Sequence, residues 1–131
     1  MTDSNRPLSP HLTIYRPQLT SLLSVLHRGT GVFVTMAAVL LVAWVAALAA
    51  GPGYYGLLMA ALGHWFGQLV LLGITFSLAY HLCNGVRHLV WDTGRALELE
   101  GVYRSGYAAL AASVVLTGVI WGIAYTAAGG L

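Results

Sequence analysis

Gly29–Ala50, GTGVFVTMAAVLLVAWVAALAA, contains no charged residue. It exceeds the run of about 20 apolar residues that a helix needs to cross a hydrocarbon core of about 30 Å. Two more such runs follow, Leu62–Val86 (LGHWFGQLVLLGITFSLAYHLCNGV) and Ser105–Ala128. Gly51-Pro52-Gly53 separates the first two and reads as a loop over Gly51–Ala61. Thr93–Arg104 reads as the second loop. The expected fold is therefore an all-α integral membrane protein with three transmembrane helices, roughly 21–50, 60–92 and 103–128. They form a single domain over 1–131, behind an extended tail over 1–20.

Composition agrees. Of the 131 residues, 58% are hydrophobic and 8% charged, with mean hydropathy +0.77. Soluble domains carry about 25% charged residues. A small soluble domain could not bury this much apolar surface, so lipid is the expected solvent. The net charge is +2 and no basic stripe exists, which excludes a nucleic-acid role.

The charges fall in two clusters. All six basic residues are Arg, at 6, 16, 28, 87, 95 and 104, and none lies in Gly51–Ala61 or in the C-terminal TAAGGL. Positive charge stays on the cytoplasmic side, so the N-terminus and the Arg87–Arg104 segment are expected inside. The polar start, MTDSNRPLSPHLTIYRPQ, has neither the apolar run of a signal peptide nor the Arg- and Ser-rich pattern of a transit peptide. That favours a bacterial inner membrane over the mitochondrial inner membrane. The single Cys83 rules out a disulfide framework, and its plain reading is a small apolar filler.

Polar groups inside a span are costly and are functional candidates by default. The foremost is His81, about 9 Å deeper along the helix than Arg87. Gly73, Ser77, His81 and Gly85 recur at four-residue spacing, leaving an open strip around one imidazole. Such a strip suits a flat macrocycle, with His81 as axial haem ligand, or a close partner helix with His81 hydrogen-bonding across it. The chain offers few candidates for a second axial ligand. His11 is in the tail, His27 is at the cytoplasmic boundary of the first helix, His64 is about 25 Å away on the same helix as His81, and His88 is about 10 Å nearer the cytoplasm. A haem here would take its other ligand from another chain.

At the head of the first span Ser24, His27 and Arg28 stand at i, i+3 and i+4. A hydroxyl, an imidazole and a guanidinium at the membrane surface can donate to quinone carbonyls or to a haem propionate. Arg28 could equally snorkel to lipid phosphates. Gly29 and Gly31 follow. Arg87-His88 and Trp91-Asp92 make a third group: Asp92 can pair with His88 across one turn, and Arg87 with Asp92 suits a charged docking rim. No nucleophile–base pair, phosphate loop or Cys-x-x-Cys spacing is present, so no residue is assigned as catalytic.

Two motifs resemble the cytochrome b membrane-anchor subunits of succinate dehydrogenase (succinate:quinone oxidoreductase). One is Arg6-Pro7-Leu8, then Leu12, Leu19, Ser24 and His27-Arg28-Gly29-Thr30. The other is His81-x-x-x-Gly85-Val86-Arg87-His88-Leu89-x-Trp91-Asp92-x-Gly94. The resemblance implies three helices packed against a second hydrophobic anchor subunit. It implies His81 as axial ligand of one haem b, shared with that subunit, and Ser24 and Arg28 as ubiquinone-binding residues. It makes His27, Arg28 and His88 neighbours of the haem propionates. It also implies a flavoprotein subunit that oxidises succinate and an iron–sulfur subunit that passes electrons on. Two other readings stand beside it: the anchor of a quinol:fumarate reductase, and a haem-free membrane scaffold.

Overall fold

The computed structural model describes residues 17–127 and residue 129. His11, Arg16 and the motif residues Arg6, Pro7, Leu8 and Leu12 lie outside the described residues. Among the described residues four helices occur in chain order: α1 Leu19–Ala50, α2 Pro52–Gly63, α3 Trp65–Asp92 and α4 Leu99–Ala127. α1, α3 and α4 are each long and apolar enough to cross a membrane.

The segment expected as a loop over Gly51–Ala61 is instead mostly helix. Gly51, at φ 113°, makes the turn, and Pro52 starts α2 with its φ already suited to a helix. At 1.5 Å per residue α2 is about 18 Å long, too short to cross. It ends at His64, whose backbone is extended, and His64 Nδ1 accepts from Phe66 N to start α3. α3 thus begins at Trp65, five residues later than the expected span from 60. The reversal between α2 and α3 requires glycine at 67. A Cβ there would run into the Ala61 carbonyl oxygen and lie 2.7 Å from Leu62 Cα.

The interior is inverted relative to a soluble bundle. Thr30, Ser77, Asn84, Arg87, Ser113 and Thr117 are buried, while large apolar residues along every helix are exposed. On α4, Gly106, Ala109, Ser113 and Thr117 are the buried positions. Small side chains at such spacing let two membrane helices approach closely. The Ser113 and Thr117 hydroxyls are satisfied within the helix, on Ala109 O and Ser113 O. α1 is held at its first third: Leu23 and Thr30 are its buried residues, and Tyr80 OH on α3 donates to Leu23 O at 3.0 Å.

Candidate functional site

The polar residues of α1 and α3 meet where these helices cross. Gly31 of α1 lies flat against His81 of α3; a Cβ at 31 would sit 3.4 Å from His81 Cε1. One turn earlier on α1, His27 stacks on His81 with ring centroids 4.1 Å apart and planes 11° from parallel. His27 also reaches His88, at 5.4 Å and a tilt of 48°. Three imidazoles from two helices therefore form one cluster. The stack and the glycine, rather than a hydrogen bond, hold the His81 ring. Among the described residues its Nδ1 is buried without a partner, as is His27 Nδ1, and no hydrogen bond uses His81 Nε2.

Beneath the imidazoles sits a buried hydrogen-bond network. Asn84 is 0% exposed and Arg87 6%. The Arg87 guanidinium donates to Ser105 Oγ (3.0 Å), Asn84 Oδ1 (3.2 Å) and Val102 O (2.9 Å). Its Cζ lies 3.9 Å from the Trp91 ring centroid. Asn84 Nδ2 lies 3.3 Å from His88 Nε2. Three of these groups sit on α3 at 84, 87 and 88, one helical turn, and Ser105 and Val102 come from the first turns of α4.

Two expectations are corrected here. Arg87 does not belong to a charged rim. It is buried, because α4 begins at Leu99 and brings Val102 and Ser105 over it. His88 is not paired with Asp92: its ring faces Asn84, Asp92 is exposed, and the one ion pair among the described residues is Arg104–Glu100 at 3.6 Å. The open strip of Gly73, Ser77, His81 and Gly85 is only partly open, since Ser77 is buried and His81 is covered on one side by Gly31.

Ser24 and Arg28 stand apart from His27. Both are exposed on α1, whereas His27 is half-buried against α3, and among the described residues no hydrogen bond joins the three. The Tyr80–Leu23 bond fixes the α1 turn from which Ser24 projects. Sequence reasoning missed Asn84, Tyr80 and Ser105. The available signal for Asn84 was its place three residues before Arg87 and four before His88, on one helix face.

In chemical terms the cluster offers an imidazole with an unoccupied nitrogen, a neighbouring stack of rings and a buried cation. No set of three or more His, Cys, Asp or Glu among the described residues is arranged to hold a bare metal ion. In the other half of the bundle a cavity of about 700 Å³ opens between all four helices, lined by apolar residues such as Leu41, Trp44, Met59, Leu71 and Trp121.

Comparison with known proteins gives this geometry a family. Residues 2–120 match the model for the succinate dehydrogenase/fumarate reductase transmembrane subunit. The succinate dehydrogenase cytochrome b556 subunit of Rickettsia prowazekii is 38% identical over 118 residues, covering 90% of this chain and 92% of the relative. The cytochrome b556 subunit of Paracoccus denitrificans is 40% identical over 112 residues, 86% of each chain. The mitochondrial succinate dehydrogenase cytochrome B subunit of Schizosaccharomyces pombe is 44% identical over 119 residues, 87% of this chain and 66% of the relative. With three apolar spans, a matching family model over most of its length and these relatives, the chain belongs to the succinate dehydrogenase/fumarate reductase transmembrane subunit family.

Proposed function

We propose that this chain is the haem b-binding membrane anchor of a succinate:ubiquinone oxidoreductase, and that it helps to form the site where ubiquinone is reduced. The observation that carries the proposal is His81. It is an imidazole in a membrane span with Nε2 free of hydrogen bonds among the described residues, held between His27 and Gly31. A ligating His ordinarily gives its second ring nitrogen to an acceptor that fixes the ring. Here the parallel stack on His27 does that work.

The residues fit a haem: His81 would hold its iron from this chain, and the second anchor subunit would supply the other ligand. When bound, the haem supplies one-electron redox capacity, tuned by the charges and hydrogen bonds around it. His27, stacked on His81, His88, beside His27, and Arg28, next to His27 in the chain, are the groups suited to its propionates. Ser24 and Arg28, exposed on the same end of α1, face outward, where ubiquinone and the partner subunits would meet the anchor. Ser24 donates a hydrogen bond to a quinone carbonyl. Arg28 offsets the negative charge that grows on the quinone oxygen as it takes up electrons. Quinone plus two electrons and two protons gives quinol. The electrons come from succinate, oxidised on the flavoprotein subunit, through the iron–sulfur subunit on the cytoplasmic face. The arginine distribution supports an orientation with the N-terminus and the 87–104 segment on that face and α2 on the opposite side of the membrane.

The test is a dithionite-reduced minus oxidised visible spectrum of the purified complex, wild type against His81→Ala. A b-type α-band lost in the variant is expected. A band that survives the substitution would move the ligand to another residue, and no band in wild type would leave a haem-free anchor. Ser24→Ala should lower quinone reduction with the haem band intact; unchanged quinone turnover would remove Ser24 from the site.

A further inference from the structure

The buried network under the imidazoles has a direction. A guanidinium has five donors and no acceptor. The atom of Asn84 that meets Arg87 must therefore be Oδ1, which leaves Nδ2, a donor, pointing at His88 Nε2 across 3.3 Å. Two donors cannot face each other in a buried contact without cost, so Nε2 must accept. An imidazole that accepts at Nε2 carries its proton on Nδ1 and is uncharged.

We propose that Asn84, oriented by Arg87, is a positioning residue that fixes His88 as the neutral Nδ1–H tautomer, so that it presents an N–H donor to the group seated beside His27 and His81. A second observation points the same way. Among the described residues, the groups facing His88 are Asn84, the Trp91 ring edge-on at 5.1 Å and His27 from α1 at 5.4 Å, with Arg87 behind Asn84 and Ser105 of α4 behind Arg87. None of these is a carboxylate. An imidazolium at 88 would stand near a buried cation with no counter-ion among the described residues. His88 Nδ1 has no hydrogen-bond partner among the described residues and is not among the buried unpartnered atoms, so its proton is free to meet an acceptor from outside the chain. The acceptor class is an anionic oxygen, such as a haem carboxylate. Only that identification rests on the haem reading; the tautomer does not.

The test is solid-state NMR of the intact complex labelled with 15N-histidine, reduced with dithionite, the His88 signals being those lost in His88→Gln. Wild type should show protonated Nδ1 and bare Nε2. Asn84→Asp replaces the donor with a carboxylate that only accepts, so the proton should move to Nε2 and the bare-Nε2 signal should vanish. Asn84→Ala, which removes the constraint, should give both tautomers. A wild-type His88 with protonated Nε2 overturns the proposal, even if neither variant assembles. So does either variant that keeps the wild-type pattern. A visible spectrum of the wild-type sample separates the two readings: absence of a b-type band there defeats the haem assignment while the ring nitrogens remain readable.

Discussion

Replacing Arg87 by Met should loosen the junction of α3 and α4 far more than it alters either helix. Met retains much of the apolar stem and removes the charged head. Three hydrogen bonds are lost, to Ser105 Oγ, Asn84 Oδ1 and Val102 O, together with the contact of Cζ on the Trp91 ring at 3.9 Å. Val102 O keeps the Ser105 hydroxyl as a donor, so only part of the loss leaves an unsatisfied group. Asn84 Oδ1 is left buried without a donor, which costs about 1–3 kcal/mol. The cation–π contact adds about 1 kcal/mol. Removing the cation also removes its own desolvation cost, which offsets some of this. A net destabilisation of about 2–3 kcal/mol corresponds to about 30- to 150-fold in a local opening equilibrium. The assay is amide hydrogen exchange of the intact complex, read on peptides covering 99–106, the first turns of α4. Exchange there should accelerate by about that factor, with peptides from the middle of α1 unchanged. Ser105→Ala, which removes one partner, should accelerate it by less than about tenfold. Exchange in Arg87→Met within about twofold of wild type would refute the idea that this buried cation ties α4 to α3.

Two further outcomes follow from glycine contacts. Gly31→Ala should keep the haem band, because its Cβ would meet His81 at an ordinary 3.4 Å, whereas Gly31→Phe should lose most of it by displacing the ring; equal haem content in both would mean that Gly31 does not set the His81 position. Gly67→Ala should destabilise the complex by about 1–3 kcal/mol, since the atoms in the way are backbone and cannot turn aside; an unchanged thermal midpoint would show that the α2–α3 reversal relaxes freely.

The three spans were legible because length and the absence of charge are sufficient signals for a membrane helix. α2 was not, and the reason is physical. Gly51-Pro52-Gly53 reads as a breaker, yet proline breaks a helix only in its interior and favours one at its first position. The site divides in the same way. His81 was legible because an imidazole inside a span is exceptional. Which rings stack on it depends on the rotation of α1 against α3, which no local pattern encodes. Arg87 was misjudged because a charge at the end of a span ordinarily reaches water. Its burial depends on where α4 starts, and that start is set by Gly94 and Ala96, both with positive φ, in the link after α3. Asn84 gained meaning only once Arg87 was seen to be buried.

α1 is gripped at its two ends by different means. Its buried residues, Leu23 and Thr30, and its hydrogen bond from Tyr80 all lie in its first twelve positions. Its far end turns back at Gly51 into α2, whose Tyr55 lies against Trp44 with ring centroids 6.4 Å apart. The imidazole cluster sits beside the first grip, and the cavity of about 700 Å³ lies along the stretch between the two. One wall of that cavity is therefore hung between a hydrogen-bonded end near the imidazoles and an apolar hairpin end at α2.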